Sequence, residues 1–175
     1  SYLEQQIIPN DIQLIAMPTT AGTGSESTKY AVIYLNGVKQ SVTDDSIVPS
    51  VLVFDPSVLN TLPDSVRRAS MLDALSHAIE SYWSINSTEE SKSLSEKAIH
   101  GILENKDAYL SNSEAGNAAM LKAANIAGQA INITQTTAGH AMSYKLTSLY
   151  GLQHGFATAV VDAELWPWMA KNTTR

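Results

Sequence analysis

At Pro63 the chain changes period. Before it, apolar residues come in short runs cut by turn signals: Ile12–Met17, Tyr30–Leu35, Lys39–Thr43 and Val51–Phe54 read as strands. The first, stopped by Pro18, suits a buried strand, and Asn36-Gly37 between the next two is a tight hairpin signal. After Pro63 the spacing turns helical. Pro63-Asp64-Ser65 opens a helix that runs through Ala69 to Trp83, and Ser87-Thr88-Glu89-Glu90 matches a capping box opening a second helix through about Leu103. Ser113 introduces an alanine-rich stretch over Ala118–Ala130, whose small side chains permit close helix packing. Thr136-Thr137 precedes a segment that Gly151 ends, and His154-Gly155 begins the last apolar run, Phe156–Val161. An α/β part over 1–62 followed by an all-α part over 63–175 is the architecture this predicts.

The first of those helices carries chemistry. Asp73 and His77 stand four residues apart, so they share one face, about 6 Å apart along the axis. Two further histidines, His140 and His154, each stand beside a glycine in the far half. One carboxylate and three imidazoles form an all-N/O set suited to Fe(II), Zn(II) or a similar divalent ion. The plainer alternative is a local salt bridge for Asp73 and ordinary polar histidines. His100 fits no such set and reads as a surface or core-edge residue.

Composition narrows the classes. A net charge of −6 without a basic cluster argues against a nucleic-acid surface. The absence of cysteine excludes disulfides and thiolate metal sites. No apolar run approaches the roughly 18 residues of a membrane span, and no apolar leader opens the chain, so a cytoplasmic setting is expected. Asn86-Ser87-Thr88 matches a glycosylation sequon but reads as capping chemistry.

Three stretches together carry a resemblance. D-A-L-S-H-A-I-E (residues 73–80), G-H-A-M-S-Y-K-L (139–146) and L-Q-H-G (152–155), preceded by P-T-T-A-G-T-G-S-E (18–26), resemble the iron-containing (group III) alcohol dehydrogenase family, in the family's order. Residues 80–91 and 135–151 look most like its phosphonoacetaldehyde reductase branch. The resemblance implies a divalent metal, Fe2+ or Zn2+, on Asp73, His77, His140 and His154, and a cofactor, NAD or NADP, near Thr19, Thr20, Gly22, Thr23, Lys39, Val58 and Leu59. Gly22 and Gly24 allow close backbone approach to a ligand, and the loop hydroxyls can donate to phosphate or ribose oxygens.

The implied reaction is hydride transfer between NAD(P)H and a small aldehyde or alcohol, with phosphonoacetaldehyde going to 2-hydroxyethylphosphonate as the branch's example. The metal acts there as a Lewis acid on the carbonyl oxygen. Tyr144 stands where many members have a histidine of the proton relay, and Gln153 and Phe156 also depart from the pattern. Lys145 is the nearest cation in sequence for a phosphonate group. The family's glycine-rich G-G-G-S grip on the pyrophosphate does not occur, so a fragment is expected, lacking most of the N-terminal domain and the last helices. The full-length form is expected to be a homo-oligomer without nucleic-acid or membrane partners. Two other classes stay open: a zinc- and NAD-dependent lyase of the dehydroquinate synthase type, and a non-catalytic helical module.

Overall fold

A computed structural model describes residues 12–36 and 38–172. Up to residue 62 the described residues make two small two-stranded sheets and short 3-10 turns. Strands β1 (Ile15–Ala16) and β4 (Val51–Leu52) pair in parallel, with Ile15 opposite Val51 and Ala16 opposite Leu52. Strands β2 (Tyr30–Leu35) and β3 (Val38–Thr43) form the expected antiparallel hairpin, with Asn36 in the left-handed region at φ 51°. The Gly37 half of that turn lies outside the described residues.

The buried strand expected over Ile12–Met17 is a correction. Only two of its residues are strand, and Ile12 (84 % exposed) and Ile15 (62 %) stand open to solvent. The run is apolar enough for burial, but among the described residues β4 is its sole strand partner and covers neither face.

From Asp64 on the chain is helical: α1 (Asp64–Trp83), α2 (Glu89–Leu110), α3 (Glu114–Thr134), α4 (Ala138–Tyr150) and α5 (His154–Asn172). Local chemistry sets most of these ends. Thr88 accepts a hydrogen bond from Ser91 N–H at 3.1 Å, while Ser91 Oγ accepts from Thr88 N–H at 2.9 Å. The reciprocal partner is therefore Ser91 rather than a glutamate, and α2 runs on to Leu110, past the expected Leu103. Ser113 caps α3 by accepting from Gly116 N–H at 3.0 Å, and α4 ends at Gly151 with φ 69°.

The core lies between α1, α2 and α3 and is built on small residues. Ala74, Ala123 and Ala124 pack with Ile102, Tyr109, Met120 and Leu59, and Ala78, Ala98 and Ala127 form a second cluster along the same seam. Such side chains let helix backbones approach closely. The N-terminal part docks on this block through the 18–28 loop. Buried Glu26 accepts from Asn125 Nδ2 at 2.9 Å, and Lys29 N–H donates to Asn132 Oδ1 at 2.9 Å.

The loop glycines have a structural purpose besides the ligand approach expected of them. A Cβ on Gly22 would lie 2.8 Å from the Ser70 carbonyl oxygen of α1. Gly24, at φ 58°, sits against the Gly128 backbone of α3. Both glycines serve docking of the loop onto helices, where a side chain has no room.

Candidate metal centre

The helical phase of α1 gathers three acidic and imidazole groups on one stripe. Asp73, His77 and Glu80 follow at i, i+4 and i+7, and all three are buried. α4 brings His140 in its first turn, and α5 brings His154 as its first residue. Gly155 makes the second approach possible, because a Cβ there would overlap the Ala69 carbonyl of α1.

Asp73 Oδ1 is the hub. It stands 3.5 Å from His140 Nε2, 3.7 Å from His154 Nε2 and 4.0 Å from His77 Nε2. Asp73, His140 and His154 each offer a ligand atom within 4.8 Å of one another, with His77 slightly further out. The His77 ring stacks on His140 with centroids 4.6 Å apart, and His154 meets His140 edge-on at 5.2 Å. His154, at 41 % side-chain exposure, is the open side of the cluster.

The arrangement suits a cation. Asp73 Oδ1 and His140 Nε2, which face each other in the cluster, are buried without a hydrogen-bond partner, a costly state for polar atoms unless something else engages them. Ligand atoms held about 2.0–2.2 Å from a tetrahedral ion stand about 3.3–3.6 Å apart, close to the separations around Asp73. The charges agree. Burial works to raise the Asp73 carboxyl, but His77, His140 and His154 hold it down at about 2. Burial likewise pushes His77 down to about 4, which keeps it neutral at pH 7 as a ligand must be. His140 goes the other way: burial is outweighed by Asp73 and Glu80, which push it up to about 9, so without a cation it is protonated and a bound cation would displace its Nε2 proton.

Behind the cluster lie two carboxylates that the sequence pattern did not single out. Glu80 Oε1 takes His140 Nδ1 at 2.6 Å, and the same side chain receives the first N–H groups of α4. Burial would raise Glu80, yet the bond to His140 and those to Thr137 keep it below its usual range. Asp162 of α5 is buried with both oxygens unpartnered, and burial together with the Glu80 charge pushes it up to about 6. Gly139 fits between the two, where a Cβ would meet both carboxylates. The available signal for Glu80 was its position seven residues after Asp73 on the same face.

A groove of about 830 Å3 joins this cluster to the N-terminal part. Its walls include Thr23 and Ser25 of the loop, Val32 and Ser41 of the hairpin, and Asp73, His77, His140 and His154. Tyr144 lines it too, its ring stacked on His154 at 6.2 Å.

Other expected residues fall elsewhere. Thr19 is exposed, and neither it, Thr20 nor Gly22 lines the groove. Leu59 is fully buried in the helical core with Val58 packed against that core, so the structure does not bring either to the groove. Lys39 pairs with Tyr34 through its backbone, and its side chain lies outside what the structure describes. Lys145 is exposed and does not line the groove, because five residues after His140 it has turned about 140° around the helix.

Two family profiles match, described as "Fe-containing alcohol dehydrogenase family, C-terminal" over residues 68–174 and "Iron-containing alcohol dehydrogenase" over residues 2–56. The chain belongs to the iron-containing alcohol dehydrogenase family. Phosphonoacetaldehyde reductase of Streptomyces viridochromogenes is 36 % identical over 161 residues, which are 90 % of this chain and 41 % of that protein. The sulfoacetaldehyde reductase of Bifidobacterium kashiwanohense, solved in complex with NAD+, superposes at TM-score 0.84 with 32 % identity, covering 89 % of this chain and 43 % of that one. An iron-containing alcohol dehydrogenase from Thermococcus thioreducens superposes at 0.87 with 32 % identity, covering 92 % and 42 %. The chain thus spans about two fifths of the length of these family members. Its fold, mostly helical with a small α/β part, matches theirs.

Proposed function

We propose that this chain is part of a metal-dependent oxidoreductase that moves a hydride between NAD(P)H and a small aldehyde or its alcohol. One observation carries the reading: a single groove runs from the Thr23–Ser25 hydroxyls to the buried cluster of Asp73, His77, His140 and His154. A nicotinamide cofactor lying along the loop side would reach a carbonyl at the cluster. Family membership and the NAD+ complex of the sulfoacetaldehyde reductase support this reading. The relatives support the oxidoreductase and not the lyase that the sequence left open.

Asp73, His77, His140 and His154 would hold Fe2+ or Zn2+, which as a Lewis acid supplies stabilisation of negative charge developing on the carbonyl oxygen. Asp73 provides the anionic oxygen, and the stacked His77 and His140 rings fix two of the nitrogens. Val32 and Ile131 contribute apolar surface to the wall of the groove. Tyr144 places its ring beside His154 at the open side, in position to pass a proton toward solvent.

For the substrate, a phosphonate-bearing aldehyde has the support of the Streptomyces relative. Lys145 does not add to that support, since it stands outside the groove. The cytoplasmic setting and the homo-oligomer belong to the same proposal; no helix among the described residues is long and apolar enough to cross a membrane. The test is NAD(P)H oxidation by the full-length protein against an aldehyde panel, before and after chelation. Turnover should vanish on chelation and return with Fe2+ or Zn2+. Undiminished turnover with metal content shown to be nil would sink the reading.

A further inference from the structure

We propose that Glu80 is the positioning residue of the metal centre: one carboxylate both caps α4 and locks the His140 ring with Nδ1 protonated and Nε2 turned to Asp73. This rests on the metal-centre reading above. Glu80 is fully buried, so no water competes for its oxygens. It receives four donors: Thr137 N–H, Thr137 Oγ1 at 2.7 Å, His140 N–H at 2.9 Å and His140 Nδ1 at 2.6 Å. A carboxylate has about four acceptor positions, and all of them are used.

The first and third donors are N–H groups of the opening turn of α4, which have no partner inside the helix. Thr137, at the cap position, makes no capping bond of its own. The cap therefore comes from a neighbouring helix, as a negative charge at the positive end of the α4 dipole. Trp83 Nε1–H donates to Thr137 Oγ1 at 2.8 Å, which commits the threonine hydrogen to Glu80.

The consequence for His140 is geometric. Its two ring nitrogens face two carboxylates, Glu80 at 2.6 Å from Nδ1 and Asp73 at 3.5 Å from Nε2, while His77 covers one face of the ring. A flipped or rotated ring would forfeit the Nδ1 bond. Glu80 and Asp73 sit on the same stripe of α1, so the register of one helix sets both the ligand oxygen and the orientation of the ligand ring. Histidines that bind metals commonly have the other nitrogen held in this way, and loss of such a partner costs 10- to 100-fold in metal affinity, a rough range.

The experiment uses the full-length protein. Glu80→Gln is nearly isosteric but turns an NH2 group toward N–H donors. It should lower Co(II) affinity roughly 10- to 100-fold and shift the visible Co(II) absorption. Thr137→Ala removes one donor to Glu80 but neither bond to His140, so it should lower the melting temperature while leaving the Co(II) spectrum as in the unmodified protein. In metal-free, unmodified protein at a pH high enough for the His140 ring to be neutral, 1H–15N correlation should show its one proton on Nδ1. Unchanged Co(II) affinity and spectrum in a folded Glu80→Gln overturns the assignment. So does a His140 ring protonated only on Nε2, which decides the matter even if the variant does not fold. Failure of the unmodified protein to bind Co(II) would instead remove the metal-centre reading, and the ring-nitrogen measurement would still judge Glu80.

Discussion

Replacing Arg67 with methionine should destabilise the protein by about 3 kcal/mol, although no carboxylate among the described residues pairs with this buried guanidinium. Arg67 stands in the first turn of α1 and donates to Leu59 O (2.6 Å), Asn112 Oδ1 (2.6 Å), Asn117 Oδ1 (2.6 Å) and Tyr109 O (2.9 Å). Its guanidinium carbon also lies 4.6 Å from the Tyr109 ring centroid. Three of the four acceptors keep a second donor: Leu62 N–H on Leu59 O, Asn112 N–H on Tyr109 O and Asn117 Nδ2 on Asn112 Oδ1. Only Asn117 Oδ1 would be stranded among the described residues, at a cost of about 1–3 kcal/mol.

The other lost bonds are charge-assisted, about 1.5–3 kcal/mol each, but removing the charge returns several kcal/mol of desolvation. Methionine keeps most of the stem volume, so the cavity contribution stays small. The balance of about 3 kcal/mol corresponds to roughly 6–12 °C in melting temperature for a chain of this size. Urea unfolding followed by circular dichroism gives the number directly. A loss below about 1 kcal/mol, or a gain, would show that desolvation cancels the hydrogen bonds and that the network does not anchor α1.

Three shorter predictions follow from the same geometry. Asp162 has a folded value near 6, above its usual 3.8, so its stabilising contribution is full below 3.8 and is lost as pH rises through 6. Asp162→Asn should therefore gain stability relative to the unmodified protein at pH 7 but not at pH 3.5, as read from urea midpoints; equal shifts at both values would refute it. Gly155→Ala should cost about 1–3 kcal/mol and weaken metal binding, because the added methyl pushes α5 and His154 away from the Ala69 carbonyl; calorimetry and metal titration check both effects. Lys145→Met in the full-length protein should leave kcat/KM for a phosphonate aldehyde and for a neutral aldehyde equally unaffected, since Lys145 is exposed and outside the groove. A selective tenfold loss for the phosphonate would restore Lys145 as its recognition residue.

Where structure depends on neighbours in sequence, it could be read before the fold was known. Thr88, Ser113 and Gly151 mark helix ends because capping is settled within three or four residues. The β2–β3 hairpin followed from two alternating runs around Asn36. Asp73 and His77 were placed on one face by helical period alone, and the same arithmetic turns Lys145 away from His140 while leaving Tyr144 beside the groove. The motif order carried the family.

What could not be read depends on contacts between distant residues. The glycines of the 18–28 loop look like a ligand cradle in sequence, and only the fold shows that Gly22 and Gly24 also pack against Ser70 and Gly128. The resemblance implies a cofactor contact for Leu59, and the depth at which the fold buries it in the helical core is not visible in the sequence. Ile12–Met17 is apolar enough for a core, but burial is a property of what covers a strand. Glu80 is the sharpest case. Its place on the Asp73 stripe is local, whereas its four donors arrive from α4, 57 to 60 residues further on. Period and caps are short-range consequences of backbone geometry, so the sequence determined the helices and the face that carries Asp73 and His77. Which buried atoms meet across that face is decided by packing, because a hydrogen bond forms only where tertiary structure brings donor and acceptor within about 3 Å.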